Sequence, residues 1–524
     1  MKKALALAAV PLFALLIASC ADVDTPAPAP ITEITPTTLD LTLLGRFAGG
    51  GVGAAEIPAF NAASKRAFVV NGAQGTVDVL DLSNPAAPTR VGTINVAILG
   101  AGVNSVAVAN GLVALAVEAP VRTDPGRIAL YRASDLTLLG SAQVGALPDM
   151  LTFTPDGRTV LVANEGEPNA AYTIDPEGSV SIVDVTNPVV PVVRTADFRA
   201  FNGQEAALRT RGIRIFGPNA TAAQDFEPEY ITVAPDGRTA YVSLQENNAI
   251  AVVDIANARV TDVLPLGYKN HALAGNGFDA SDRDNAINIR NWPVFGMYQP
   301  DAIASYSVGG TTYIVTANEG DARDYTGFAE ESRVSGLTLD PSVFTTAVCG
   351  GDCKANDRLG RLTVTRTLGN GANGYTQLYA FGGRSFSIFT AAGALVYDSG
   401  EELERRTVGL PNVNFNAGHE NNTQDDRSDN KGPEPEGLAI ARFGNKTFAF
   451  IGLERVGGVM VYDITNPAAP VYTTYLNTRS GTTGDLGPEG LVVVPASQSP
   501  NGQPLLIVGN EISGTTAIFQ INLR

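Results

Sequence analysis

Internal repetition is the feature that most constrains the fold. Residues Pro148-Asp149 through Asn164-Glu165 and Pro228-Glu229 through Gln245-Glu246 follow one plan. Each has an apolar strand, a Pro-Asp-Gly-Arg turn and a second strand rich in β-branched residues. Pro and Gly supply the dihedrals of a tight turn, so each stretch reads as a β-hairpin. Variants open at Pro300-Asp301, Pro435-Glu436 and Pro488-Glu489, and weaker copies start near Glu56 and Asn104. A third strand follows and often ends in Asp-x-(Ser/Thr)-Asn-Pro, as at 81–85, 184–188 and 463–467. A fourth follows it, as at 89–96 and 471–476. Four antiparallel strands per repeat, many times over, predict an all-β fold, a β-propeller. The last repeat offers three strands (490–495, 504–508 and 515–523), while 38–47 is an orphan strand. The orphan is expected to complete the last blade and remove its open edge. Seven blades are expected; eight is the alternative, because 299–398 reads as one blade with insertions or as two.

The N-terminus adds a compartment. Lys2 and Lys3 precede an apolar run from Ala4 to Ile17, the pattern of a signal peptide. Ile17-Ala18-Ser19-Cys20 resembles a bacterial lipobox, which implies cleavage before Cys20 and lipid attachment to its sulfur. The expected organisation is therefore a lipoprotein signal peptide (1–19), a lipidated Cys20 with a Pro/Thr-rich tether (20–38) and one propeller domain (39–524). The protein is expected to be exported and held to a membrane by lipid, at the cell surface or in the periplasm. In such a compartment Cys349 and Cys353, spaced C-x-x-x-C, are expected to form a local disulfide. No further cysteine is available to complete a metal site with them.

The 36 basic and 53 acidic residues give a net charge of −17. That balance argues against nucleic acid as a partner, since phosphate backbones require Lys/Arg clusters. Topology says where the acids fall. With strands a to d counted outwards from the channel, the start of a, the end of b and the b–c and d–a loops share one face. The residue after each opening proline therefore lies beside the acid that closes strand b. The expected pairs are Asp149 with Glu165, Glu229 with Glu246, Asp301 with Glu319, Glu436 with Glu454, and Glu489 with Glu511. Glu118 closes strand b of the second unit opposite Asn104. Long segments at 197–225, 268–298, 319–360 and 399–432, three of them conspicuously polar, are expected on the same face; with the polar run that continues to Glu436 they add Asp321 and Glu434. Packed carboxylates repel unless a cation neutralises them, and hard oxygen ligands suit calcium, which takes six to eight. One or more Ca²⁺ ions are expected at this mouth. The competing expectation is that the acids cap strands and pair with Arg333, Arg384, Arg427 and Lys431.

Several long motifs resemble the choice-of-anchor I family. They are Asp429-Asn-Lys-Gly-Pro-Glu-Pro-Glu-Gly437, Phe450-Ile-Gly-Leu-Glu-Arg455, Tyr379-Ala-Phe-Gly-Gly-Arg-Ser-Phe386, Gly296-Met-Tyr-Gln-Pro-Asp301 and Ala317-Asn-Glu-Gly-Asp-Ala-Arg323. The resemblance runs from about residue 40 to the end. It implies an exported domain attached by varying anchors and similar to mesenchyme-specific cell-surface glycoproteins. The expected function is a membrane-anchored surface module that binds calcium and a ligand such as polysaccharide, mineral or a protein partner. The alternative is a calcium-dependent phosphoesterase, with Arg333, Arg384, Lys431 and Lys269 offsetting phosphate charge. His271 and His419 fall in polar loops and are expected to be solvated.

Overall fold

The computed structural model describes residues 35–524; the expected signal peptide, the expected lipidation at Cys20 and the expected tether up to residue 34 lie outside the described residues. Strand alternation, proline-opened hairpins and Asn-Pro turns produce seven four-stranded antiparallel sheets. Six run in chain order within 58–95, 102–146, 148–197, 228–265, 303–398 and 435–476. The seventh joins three strands of 488–523 to the N-terminal strand Leu39–Ala48. That strand pairs antiparallel with Thr515–Leu523, from Leu39 opposite Leu523 to Ala48 opposite Thr515. The expected closure by the orphan strand is therefore present. The innermost strands touch in order around a ring, and the innermost strand of the seventh sheet touches that of the first.

The core explains why the ring holds. Each sheet presents apolar side chains on both faces, so each gap between sheets has its own buried cluster. Val79 and Leu115 lie between the first and second sheets, and Ile128 and Val162 between the second and third. Leu161 and Val242 fill the next gap, followed by Ile250 with Ile314 and Ile388 with Ile451. Phe450 with Phe519 and Leu80 with Ile507 complete the circuit. Burying an aliphatic side chain of this size is worth about 1.5–3 kcal/mol. Closing the last gap therefore also buries the otherwise open flank of the first sheet.

Residues 299–398 contribute one four-stranded sheet, interrupted between its second and third strands by an insertion. Together with 268–298, that insertion folds into a separate five-stranded sheet of Tyr268–Asn270, Phe295–Met297, Tyr379–Ala380, Thr363–Thr365 and Glu331–Arg333. It has its own core around Trp292, Leu359, Leu362 and Leu378. The Cys349–Cys353 disulfide, formed as expected, packs into that core. Among the described residues no helix is long and apolar enough to cross a membrane.

Candidate functional site

The start of each innermost strand is shaped to aim a side chain at the channel mouth. Pro148 pairs with Asn164 and Leu151 with Val162, so one extra residue is inserted at Asp149-Met150. The same bulge follows Pro228, Pro435 and Pro488, and a related one sits at Asn104. Bulges bend a strand and re-aim its side chains. The residue before the proline is held in the left-handed region at Leu147, Gln299, Glu434 and Gly487. At three of these, its carbonyl accepts from the acid that ends strand b: Glu165 N to Leu147 O at 2.9 Å, Glu454 N to Glu434 O at 2.8 Å and Glu511 N to Gly487 O at 2.7 Å. For a non-glycine residue this conformation costs about 1–2 kcal/mol, which the surrounding bonds must sustain.

The result is two concentric sets of side chains. The inner positions, in chain order, are Glu56, Asn104, Asp149, Glu229, Asp301, Glu436 and Glu489. Some of them, with the residues that follow in other strands, line a cavity of about 60 Å³ that includes Ile57, Asn104, Asp149, Tyr230, Asp301 and Glu489. The outer positions are Glu118, Glu165, Glu246, Glu319, Glu454 and Glu511, with Gly72 in the first sheet. Glu56, which the sequence reading did not single out, fills that gap. A Cβ on Gly72 would lie 2.3 Å from Glu56 Oε1, so the Glu56 carboxylate occupies the space above this glycine. The missing acid after Asn71 was the available signal.

All five expected acid pairs come together, and two groups are close enough to share an ion. Carboxylate oxygens of Asp301, Glu319 and Glu436 lie within 4.8 Å of one another, as do those of Glu319, Glu434 and Glu454. Burial, then the neighbouring carboxylates, pushes Glu165, Glu229, Asp301, Glu436 and Glu489 well above the usual carboxylate range. Glu454 is also well above it, through burial and then Glu434, despite Arg455. Burial and then Glu511 raise Glu56 to about 8; burial and then Glu167 raise Asp149 to about 7. Burial likewise brings Glu246 to about 7, against the pull of Arg323. Glu229 and Glu246 are more than nine-tenths buried, yet Oε2 of each has no hydrogen-bond partner. Glu436 Oε2 and Glu489 Oε2 are also buried and unpartnered. Asp321 sits exposed at the rim.

Glu434 differs from the rest. Burial would raise its pKa, but Lys431, Arg427 and Arg455 pull it far below the usual value. Arg427 and Lys431 approach it at 2.6 and 3.1 Å. Pairing with basic groups, the competing expectation, therefore describes Glu434 but not the inner ring.

The cations expected to receive phosphate need correction. Lys269 is buried, and its ammonium is committed to Gly383 O, Gly400 O and Asp398. Arg384 is buried over the Phe278 ring and donates to Glu404 and to the carbonyls of Asp279, Ser428 and Asn430. Arg333 pairs with Asp429 at 2.8 Å. Lys431 does reach the acidic mouth, but pairs with Glu319 there at 2.7 Å. Both histidines are buried rather than solvated: His271 Nδ1 lies 2.6 Å from Asn276 O, and His419 lies beside Arg455 and Glu420. The insertion has its own core, which draws in side chains that the loop-like sequence suggested were exposed.

Behind the mouth, an ionic knot ties the insertions together. Arg323, fully buried, pairs with Asp225 at 2.7 Å and Glu227 at 3.0 Å. Arg214 pairs with Glu330, and both guanidinium groups face the Phe216 ring, at 4.0 and 4.5 Å.

A closed ring of antiparallel four-stranded sheets, with an acid-lined channel mouth beneath long insertions, defines a β-propeller with a candidate cation-binding face. The sequence model of the choice-of-anchor I domain matches residues 56–467, and the chain belongs to that family. It is similar to Gigasin-3a of Magallana gigas, 34% identical over 184 residues, covering 31% of this chain and 64% of that protein. It is also similar to the mesenchyme-specific cell surface glycoprotein of Strongylocentrotus purpuratus, 28% identical over 340 residues, covering 56% of this chain and 43% of that protein. The matches thus span less than two thirds of either relative's length. Among solved structures, Kuenenia stuttgartiensis hydrazine synthase aligns at a TM-score of 0.46 with 13% identity, over 91% of this chain and 98% of that one.

Proposed function

We propose that this protein is an exported, lipid-anchored surface module whose acidic channel mouth binds calcium and presents it to an extracellular ligand. The observation that carries the reading is the set of buried, unpartnered carboxylate oxygens on Glu229, Glu246, Glu436 and Glu489. A buried carboxylate without a partner is costly, and a hard divalent ion satisfies several at once. Asp149, Glu165, Glu229, Glu246, Asp301, Glu319, Glu436, Glu454, Glu489 and Glu511 are the candidate ligands, with Glu56 added by the geometry and Asp321 at the rim. Glu434 is already neutralised and drops to a supporting role. The described chain begins on the opposite face: Thr35 Oγ1 accepts from Asn445 N, in the turn after the first strand of the sixth sheet. A membrane anchor there would leave the acids facing outward. The name of the sea-urchin relative, a cell surface glycoprotein, supports display outside the cell.

The test is isothermal titration of chelator-treated protein with Ca²⁺, paired with thermal melting. A saturable isotherm and a raised melting temperature are expected. Absence of both would overturn the proposal. Turnover of p-nitrophenyl phosphate with Ca²⁺, abolished in Glu436→Gln, would instead favour the phosphoesterase reading. The commitment of Lys269 and Arg384 to the insertion leaves that reading with less support.

A further inference from the structure

The two carboxylate triads at the mouth share Glu319 but differ in what stands among them. The first, Asp301, Glu319 and Glu436, includes an unpartnered buried oxygen on Glu436. The second, Glu319, Glu434 and Glu454, already holds a cation. Lys431 Nζ lies 2.7 Å from Glu319 Oε1 and 3.1 Å from Glu434 Oε2, and also donates to Gly320 O. Arg455 flanks the same triad, 3.2 Å from both Glu434 and Glu454. Lys431 is delivered by the end of the 399–432 insertion, followed by Gly432 and Glu434 in the left-handed region. The chain is thus bent sharply to place this ammonium against two carboxylates of the triad.

We propose that Lys431 is a tethered counter-ion that occupies a latent second metal site and directs calcium to the first. This rests on the reading of the mouth as a calcium site. Two further features support it. The ammonium contacts two carboxylates and one backbone carbonyl, which are hard oxygen donors of the kind calcium selects. The Glu229 and Glu246 oxygens that remain unpartnered and buried belong to the fourth sheet, on the other side of Glu319 from Lys431. Lys431 therefore contacts the second triad directly, whereas Oε2 of Glu229 and of Glu246 has no partner. Lys431 also fixes how many ions the mouth takes, because a divalent ion sharing Glu319 with the first site would otherwise crowd two charges together.

The experiment compares calcium stoichiometry in the wild-type chain, Lys431→Met and Lys431→Gln by titration calorimetry, with circular dichroism to follow folding. Both variants are expected to bind one more equivalent of Ca²⁺ than the wild type. In chelator they should melt lower than the wild type, and calcium should raise their melting temperature by more. Unchanged stoichiometry in variants that fold would overturn the inference even if the wild type binds calcium. A variant that folds only with calcium supports it, and variants that calcium cannot rescue overturn it. If the wild type binds no calcium but the variants do, the calcium reading of the natural mouth and the directing role of Lys431 fail, while its occupation of a latent metal site stands. If none binds, both fail.

Discussion

At the scale of single residues, the molecule separates carboxylates that are neutralised from those that are not. Arg323 is the clearest structural case, because its guanidinium balances Asp225 and Glu227 where no water reaches. Removing one partner from a buried ionic group leaves uncompensated charge and costs about 3–5 kcal/mol. Arg323→Met is therefore expected to lower stability by about that amount in urea unfolding, and a loss below about 1 kcal/mol would contradict the account. Glu436 should behave oppositely. Its charge is penalised by burial and by Glu454, so Glu436→Gln is expected to melt higher than the wild type in chelator. The same change should weaken calcium by about tenfold or more, since even outer-shell changes at metal sites cost that much. A variant that is stabilised with unaltered affinity would remove Glu436 from the ligand set. The pairing of acids was legible because each belongs to the repeat and inherits its place from strand topology. Glu56 was not, because Ala55 stands where most other copies have the marking proline, and its carboxylate lies over Gly72, where no side chain stands.

At the scale of elements, the strand Leu39–Ala48 matters out of proportion to its length. It covers the edge of Thr515–Leu523 and contributes Leu39 and Leu41 to the cluster between the sixth and seventh sheets. Without it the last sheet would expose unpaired N–H and C=O groups, a template for pairing with other chains. Deleting residues up to 48 is expected to lower the melting temperature and drive association, read by light scattering, whereas deletion up to 34 should do neither. Equal behaviour of the two truncations would show that closure does not depend on this strand. The hairpins, the Asn-Pro turns and the orphan strand could all be read from the sequence because they repeat or conspicuously fail to. The insertion at 319–384 could not, because Tyr379–Ala380 pairs with a segment some eighty residues earlier and its short strands carry no period. That hidden sheet is also why Lys269 and Arg384 were misplaced: their partners are carbonyls and acids of segments distant in the chain, brought close only by its folding. The bulges after the opening prolines were equally silent, since one extra residue leaves the apolar pattern almost unchanged.

At the scale of the whole molecule, the acidic mouth couples stability to pH and, on the proposed reading, to calcium. Glu56, Asp149 and Glu246 titrate near 8, 7 and 7 in the folded protein, against ordinary values of 4.5, 3.8 and 4.5. Between about pH 4 and 8 these acids hold more protons in the folded state than in the unfolded chain, so their contribution to stability falls as pH rises, partly offset below about pH 6.5 by buried His271 and His419, whose pKa values are lowered. Glu434 works in the opposite direction, but its depressed value puts its effect below the ordinary carboxylate range, outside the interval from pH 5 to 8. In chelator, the melting temperature is expected to decline steadily from pH 5 to 8. Calcium competes with those protons, so millimolar Ca²⁺ should restore much of the loss at pH 8 and little at pH 5. Binding at pH 7 should release protons, and the apparent binding enthalpy should then differ between buffers of different ionisation enthalpy. A calcium-free melting temperature that is flat or rises across pH 5 to 8 would mean that the mouth acids are already compensated within the protein. The net charge of −17 would then include no unneutralised cluster at the mouth for a calcium ion to relieve, and the proposed reading would lose its physical basis.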